Sequence, residues 1–178
     1  MNLYLRLIFL ALRMIGLPRR DVLDDSCVRF RVLPNDCDVN LHMNNGRYLS
    51  FMDLGRVHLI VQLGLLPAIF RNHWKPVLAA AEINFIRQIA PFQRFDLVTR
   101  VVTWDEKYVY MEQRFECRGE LCAHAFVKGL FLGPEGRVSN AAVLGLLGHR
   151  AAAPEMPEEL RIWAELGSAK KQRAEEES

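Results

Sequence analysis

The chain opens on an apolar stretch, MNLYLRLIFLALRMIGLPRR, broken only by Arg6 and Arg13 before Pro18. These two arginines stand two helical turns apart and share one face of an otherwise apolar helix, which Pro18 stops. The uncharged run between them is far shorter than the ~20 residues needed to cross a bilayer. A signal peptide fits badly too, because Arg13 interrupts its core and no small-x-small cleavage site follows. Two readings of residues 1–18 stay open: a helix packed on the domain or on a dimer partner, or a peripheral membrane-surface anchor.

From Cys27 to Pro34 the period changes to two, with cationic and apolar residues alternating as CVRFRVLP, which predicts a strand with one buried face. RYLSFMDLGRVHLIVQLGLL, Arg47–Leu66, is then helix-length and apolar nearly all round. A helix of that kind is buried on most sides. Four strand-like runs follow with short connections: Val77–Ile89, Arg94–Asp105, Lys107–Arg118 and Glu120–Gly133. The third puts Glu112, Arg114, Glu116 and Arg118 on one face and Met111, Gln113, Phe115 and Cys117 on the other, which predicts a half-solvated strand. Arg118-Gly119 reads as a tight hairpin. SNAAVLGLLGHR and PEELRIWAELG read as short helices, and SAKKQRAEEES as a frayed, solvated tail. Strand, long buried helix, then consecutive antiparallel strands is an α+β order. A sheet curled around one central helix is the economical way to bury that helix. The expected organisation is an N-terminal helix over 1–20, the main domain over 27–150, and a C-terminal helix and tail over 151–178.

Composition narrows this picture. A chain of 178 residues with 51% hydrophobic and 25% charged residues builds its own core and is neither disordered nor collagen-like. A formal net charge of +2, with no basic stripe interleaved with aromatics, argues against a nucleic-acid partner. The four cysteines, Cys27, Cys37, Cys117 and Cys122, form no Cys-x-x-Cys pair and have no histidine at zinc-finger spacing. No structural metal is expected, and reduced thiols in a cytoplasmic setting are the default. Cys117 and Cys122 flank the hairpin turn and are candidates for neighbours in space.

The stretch PNDCDVNLHMNNGRYL, Pro34–Leu49, carries the candidate chemistry. Acids, asparagines and a histidine precede a buried helix, where first-turn N–H groups are unsatisfied and the helix dipole is positive. Thioester hydrolysis needs water activated beside a carbonyl whose developing oxyanion meets fixed donors. The bland alternative is a capped loop, since Asp and Asn are favoured in turns and N-caps.

The run NDCDVNLHMNNGRY, between a first strand and a long apolar helix, resembles the signature of hot-dog-fold acyl thioesterases. DCD is similar to the 4-hydroxybenzoyl-CoA thioesterase branch, and Asp38, Asn40 and His42 reproduce the Asp-x-Asn-x-His run of plant acyl-ACP thioesterases. RVLP, LHMNN, RYL and the apolar N-terminus resemble the branch of proteins like thioesterase superfamily member six. The likeness spans Arg29 to about Gly133. It implies an antiparallel β-sheet wrapped around a long central α-helix, no cofactor, and hydrolysis of an acyl-CoA or acyl-ACP. It further implies a homodimer or dimer of dimers with sites at the subunit interface. By the same resemblance Asp38 is the general base or nucleophile, with Asn40 and His42 orienting base, water or carbonyl. Asn45 and Gly46 fall at the oxyanion amides, with Tyr48 and Asp53 as further substrate-side candidates. Asp36 reads as a turn residue, and Asp53 faces a competing i,i+3 pair with Arg56. The plant enzymes' further glutamate has no match, because Gln88 or Asn84 stands there and Glu82 is offset. Cations for a CoA or phosphopantetheine carrier are at hand in Arg71, Lys75, Arg87, Arg94 and Lys128, with no basis for choosing among them. Two other classes remain: a non-catalytic acyl-thioester binder or membrane-associated scaffold, and a hot-dog hydratase or dehydratase using His42.

Overall fold

A computed structural model describes residues 3–14, 16–149 and 152–177, with no account of the side chains of Leu3 and Tyr4. The first two residues and the expected domain boundary at 150–151 lie outside the described residues. In chain order the elements are α1 (Leu3–Arg13), β1 (Ser26–Arg31), α2 (Asn45–Gln62), α3 (Leu66–Arg71), β2 (Lys75–Phe85), β3 (Arg94–Trp104), β4 (Val109–Cys117), β5 (Glu120–Gly133), β6 (Gly136–Val138), α4 (Asn140–Leu146) and α5 (Glu158–Glu176). The strands form one antiparallel sheet in the order β1-β3-β4-β5-β2, with the short β6 paired to β5. Arg118 and Gly119 both take positive φ, 55° and 83°, which is the turn type whose twist suits a two-residue hairpin between β4 and β5.

α2 lies in the curl of the sheet. Its Tyr48, Phe51, Met52 and Leu54 pack against Val28, Phe95, Leu97, Phe115, Ala125 and Val127 in one buried cluster. The aromatic rings interlock, with Phe51 edge-on to Phe95 at 5.0 Å and Phe95 to Phe115 at 5.5 Å. Helix and sheet approach most closely at Gly55, where an added Cβ would stand 2.8 Å from both Leu97 Cδ2 and Thr99 Oγ1. Beside it the buried Gln113 side chain donates to Met52 O at 3.0 Å and to Thr99 Oγ1 at 2.9 Å, latching helix to sheet through a satisfied polar pair.

Three local expectations need correction. The long helix does not reach Leu66: Gly64, at φ 73°, provides the left-handed residue that ends it, and a separate short helix follows. The solvated face expected of β4 is covered only in part: Arg114 and Glu116 are half-buried and Arg118 is exposed. Glu112 on its outer face is 9% exposed, and Trp163 of α5 packs near Phe126 while Leu160 is fully buried. The C-terminal helix also runs on through the expected tail to Glu176, supported there by Lys171–Glu175 at 3.4 Å.

The two edges of the sheet differ. β1 presents Arg29 and Arg31, charges of the kind that discourage strand addition. β2 is exposed along most of its length although its sequence is KPVLAAAEINF.

Candidate active site

The loop before α2 is folded by its own backbone and by Asp36. Cys37 and Met43 form an isolated antiparallel bridge, Asp38 N donates to His42 O at 3.1 Å, and Met43 N donates to Ile89 O at 2.8 Å. Asp36 is buried. Its carboxylate accepts Leu33 N–H at 2.8 Å, pairs with Arg6 of α1, and lies 3.6 Å from Arg47 of α2, while its carbonyl accepts Asn44 N–H at 2.9 Å. Arg6 in turn stacks over Phe51 at 4.6 Å. Asp36 thus joins β1, α1 and α2 around the loop, a role beyond that of a turn residue. The signal for it is an arginine on an apolar helix, Arg6, whose partner no spacing rule identifies.

On that frame Asp38 and His42 stand side by side, half-buried, with Asp38 Oδ1 3.9 Å from His42 Nδ1. Asp38 Oδ1 also accepts Asn40 N–H at 2.9 Å, an Asx turn, whereas Oδ2 has no partner among the described residues. The loop carries exposed apolar residues on either side of Asn40: Val39 is 95% exposed, and Leu41 is 75% exposed at φ 57°. The Asn40 and Asn45 side chains face solvent. Asn44 caps the helix, and its side chain accepts Gly46 N–H at 2.9 Å. Of the two amides expected to meet an oxyanion, Gly46 N–H is therefore held by the cap, and Asn45 N–H is the first-turn donor left open.

Tyr48 is buried among Phe85 and Phe115, each at 4.9 Å, and burial pushes its hydroxyl well above the usual range. Asp53 is exposed and pairs with Arg56, as the i,i+3 spacing expects. Arg56 also donates to Gln113 Oε1 at 2.8 Å, and burial lowers its pKa. Glu82 and Asn84 of β2 bond to each other at 3.2 Å. Among the candidate cations, Arg87 donates to Leu121 O at 3.2 Å and Lys128 sits 4.6 Å over the Tyr108 ring. The Cys37 thiol lies 3.6 Å from Leu33 O, and burial raises its pKa, which disfavours the nucleophilic thiolate. Among the described residues no cluster of three His, Cys, Asp or Glu side chains is arranged to hold a metal ion.

A cavity of about 330 Å³ opens along the C-terminal half of α2, between that helix, the sheet and α4. Asp53 and Arg56 are in its wall, and Asp38, Asn40 and His42 are not. The sequence held no sign of this cavity, because its lining comes from seven stretches of chain that only the fold assembles.

Residues 32–164 match the thioesterase-like superfamily. The chain belongs to that superfamily. It is 35% identical over 179 residues to protein THEM6 of Danio rerio, a match covering 98% of this chain and 87% of that one. Its fold is similar to that of a probable thioesterase from Escherichia coli, YbaW, with TM-score 0.64 at 17% identity over 68% of this chain and 95% of that one. A DHNA-CoA thioesterase from Staphylococcus aureus gives TM-score 0.59 at 11% identity over 73% and 99%. At such identities these two likenesses speak for the fold alone, which is the hot-dog fold. Membership of the superfamily supports thioester hydrolysis as the general chemistry.

Proposed function

We propose that this superfamily member hydrolyses an acyl thioester carried on CoA or acyl carrier protein, with Asp38 activating water or attacking the carbonyl. The observation that carries this is a half-exposed carboxylate with a free Oδ2 beside His42, in the loop that leads into α2, where Asn44 caps Gly46 N–H and leaves Asn45 N–H open. His42 and Asn40 orient the acid and the water, and Asn45 N–H binds the developing oxyanion. Gly46 N–H joins it once Asn44 turns aside.

The separation of this loop from the cavity supports a dimer. Cavity-lining Pro76, Val77 and Leu78 lie at the start of β2, whereas Phe85 at its end touches Tyr48, and Ile89 just beyond holds the loop through Met43. Two copies paired antiparallel along β2 bring the start of one strand to the end of the other. Each cavity mouth then meets the partner's Asp38 loop, and the exposed Val39 and Leu41 gain a surface to cover.

The deciding experiment is thiol release from a panel of acyl-CoA and acyl carrier protein thioesters by Asp38→Asn and Asp53→Asn proteins. Loss of an acid or base of this kind costs about 10²–10⁴-fold in kcat, and Asp38→Asn is expected to fall in that range. Asp53→Asn retains most of the activity. Undiminished turnover by Asp38→Asn sinks the assignment.

A second reading, peripheral membrane contact from a cytoplasmic setting, rests on α1. Arg6 and Leu10 face the domain, while Leu5, Ile8, Phe9 and Leu12 are 56–63% exposed on the other side. Among the described residues no helix is long and apolar enough to cross a membrane, so this contact is with the surface. Co-flotation with liposomes that is lost in an Ile8→Ser, Phe9→Ser, Leu12→Ser protein supports it; the wild-type chain staying with the soluble fraction refutes it.

A further inference from the structure

We infer that the cavity under α2 is the acyl compartment and that it takes a saturated aliphatic chain of about twelve to fourteen carbons, with α4 as the wall that limits its length. This rests on the acyl-thioester reading above and names the substrate class within it.

The lining decides the chemistry. Leu59 of α2 and Leu63 just beyond it, Val101 and Met111 of the sheet, and Val143 of α4 with Leu147 at its C-terminal cap present aliphatic or thioether surface to the cavity. Such a cavity holds water poorly, since water needs two to four polar partners. Asp53 and Arg56 are ion-paired to each other, and Arg56 is further fixed by Gln113. Asn140 Nδ2 ties the first turn of α4 to Asp105 O at 2.8 Å, and its buried Oδ1 has no hydrogen-bond partner among the described residues. The occupant is therefore apolar over most of its length, with its polar end at Asp53 and Arg56. There the exposed Val77 and Leu78 of β2 form part of the rim.

Size then separates aliphatic from aromatic acyl groups. A dry cavity of about 150 Å³ suffices for benzene. This one, at about 330 Å³, is roughly twice that. A benzoyl-type group would leave half the space empty, and at the same volume per carbon the cavity fills with about thirteen carbons. Val22, Leu63, Leu65, Ile69 and Val143 pack together in a second buried cluster, separate from the central core, and close the end away from Asp53. Val143 is 5% exposed and holds α4 against this cluster.

The test uses ligands that cannot be hydrolysed, so that it is independent of turnover. Equilibrium binding of saturated fatty acids from six to eighteen carbons, and of benzoate and 4-hydroxybenzoate, is measured on the full chain. Each added methylene is expected to tighten binding by up to about fourfold, from the ~0.8 kcal/mol gained per buried CH₂, up to about twelve to fourteen carbons, and then to stop. Val143→Phe moves that break to shorter chains, and Leu147→Ala moves it to longer ones, with thermal unfolding reporting that both variants are folded. Opposite shifts in the two variants mean that a general loss of structure does not mimic the result. Aromatic acids binding as tightly as dodecanoate, affinity rising unbroken to eighteen carbons, or a break that neither variant moves would each overturn the inference. The expected binding pattern with no thiol released from any acyl-CoA leaves the compartment standing and removes the hydrolase reading instead.

Discussion

Removing the Arg6 guanidinium would leave the Asp36 carboxylate, 2% exposed, with only Arg47 at 3.6 Å and the Leu33 amide to compensate its charge. Stripping one partner from a buried pair costs more than the pair itself contributes, because a desolvated charge is left behind. Arg6→Met is expected to lower stability by about 3 kcal/mol in denaturant unfolding. Arg6→Met combined with Asp36→Leu should recover much of that loss, since no buried charge then remains. A double variant as unstable as the sum of the singles would show that the two side chains act separately. The pair was half legible beforehand. An arginine on an apolar helix signals a buried or interfacial partner, and Asp36 in a run of acids and asparagines reads as a turn. Only the path of the chain brings them together across thirty residues.

At the scale of elements, periodicity predicted what local pattern determines and missed what depends on neighbours. β5 is found at Glu120–Gly133, the span that its pattern and the Arg118-Gly119 turn marked out. The overlong reading of α2 failed at Gly64, a residue that interrupts a helix only when its backbone turns left-handed. The run taken for a tail is helical because it continues a helix already nucleated by burial of Leu160. β2 poses the opposite case. An apolar edge strand exposed along most of its length lacks cover within one chain, and the paired-copy reading provides it. Lysines at Ala79 and Ala81, both exposed on that strand, place two charges in the seam. The double variant is expected to sediment as a monomer, to keep its fold by circular dichroism, and to lose thiol release, because each cavity then lacks the partner's Asp38 loop. Full activity in a monomeric variant, or a wild-type chain that is itself monomeric at tens of micromolar, would reject the composite site.

For the molecule as a whole, buried titratable groups set how stability varies with pH. Glu112 lies on the outer face of the sheet, receives a hydrogen bond from His124 Nε2 at 2.7 Å, and is flanked by Arg100 at 2.6 Å and Arg114 at 2.9 Å. These partners hold its carboxyl at about 2 against an ordinary value of 4.5. A carboxyl depressed on folding adds stability that is complete above 4.5 and vanishes as the pH falls towards 2, a contribution of about 3 kcal/mol. His58 acts in the same direction at higher pH. Burial, aided by Arg13, lowers its pKa below 6.5, and its Nδ1 lies 2.8 Å from the Ser26 hydroxyl. Its neutral form is favoured on folding, so stability declines below pH 6.5. On the alkaline side burial and Cys122 raise the Cys117 thiol from 9.0 to about 12, and that contribution is lost as the pH climbs through the interval. Denaturant midpoints should therefore form a plateau between about pH 7 and 9 and fall on both sides. Glu112→Gln is expected to unfold at lower denaturant than wild type at pH 7, and the two curves should converge below pH 3. Curves that stay parallel down to pH 3 would mean that the network holding Glu112 contributes no proton-linked stability.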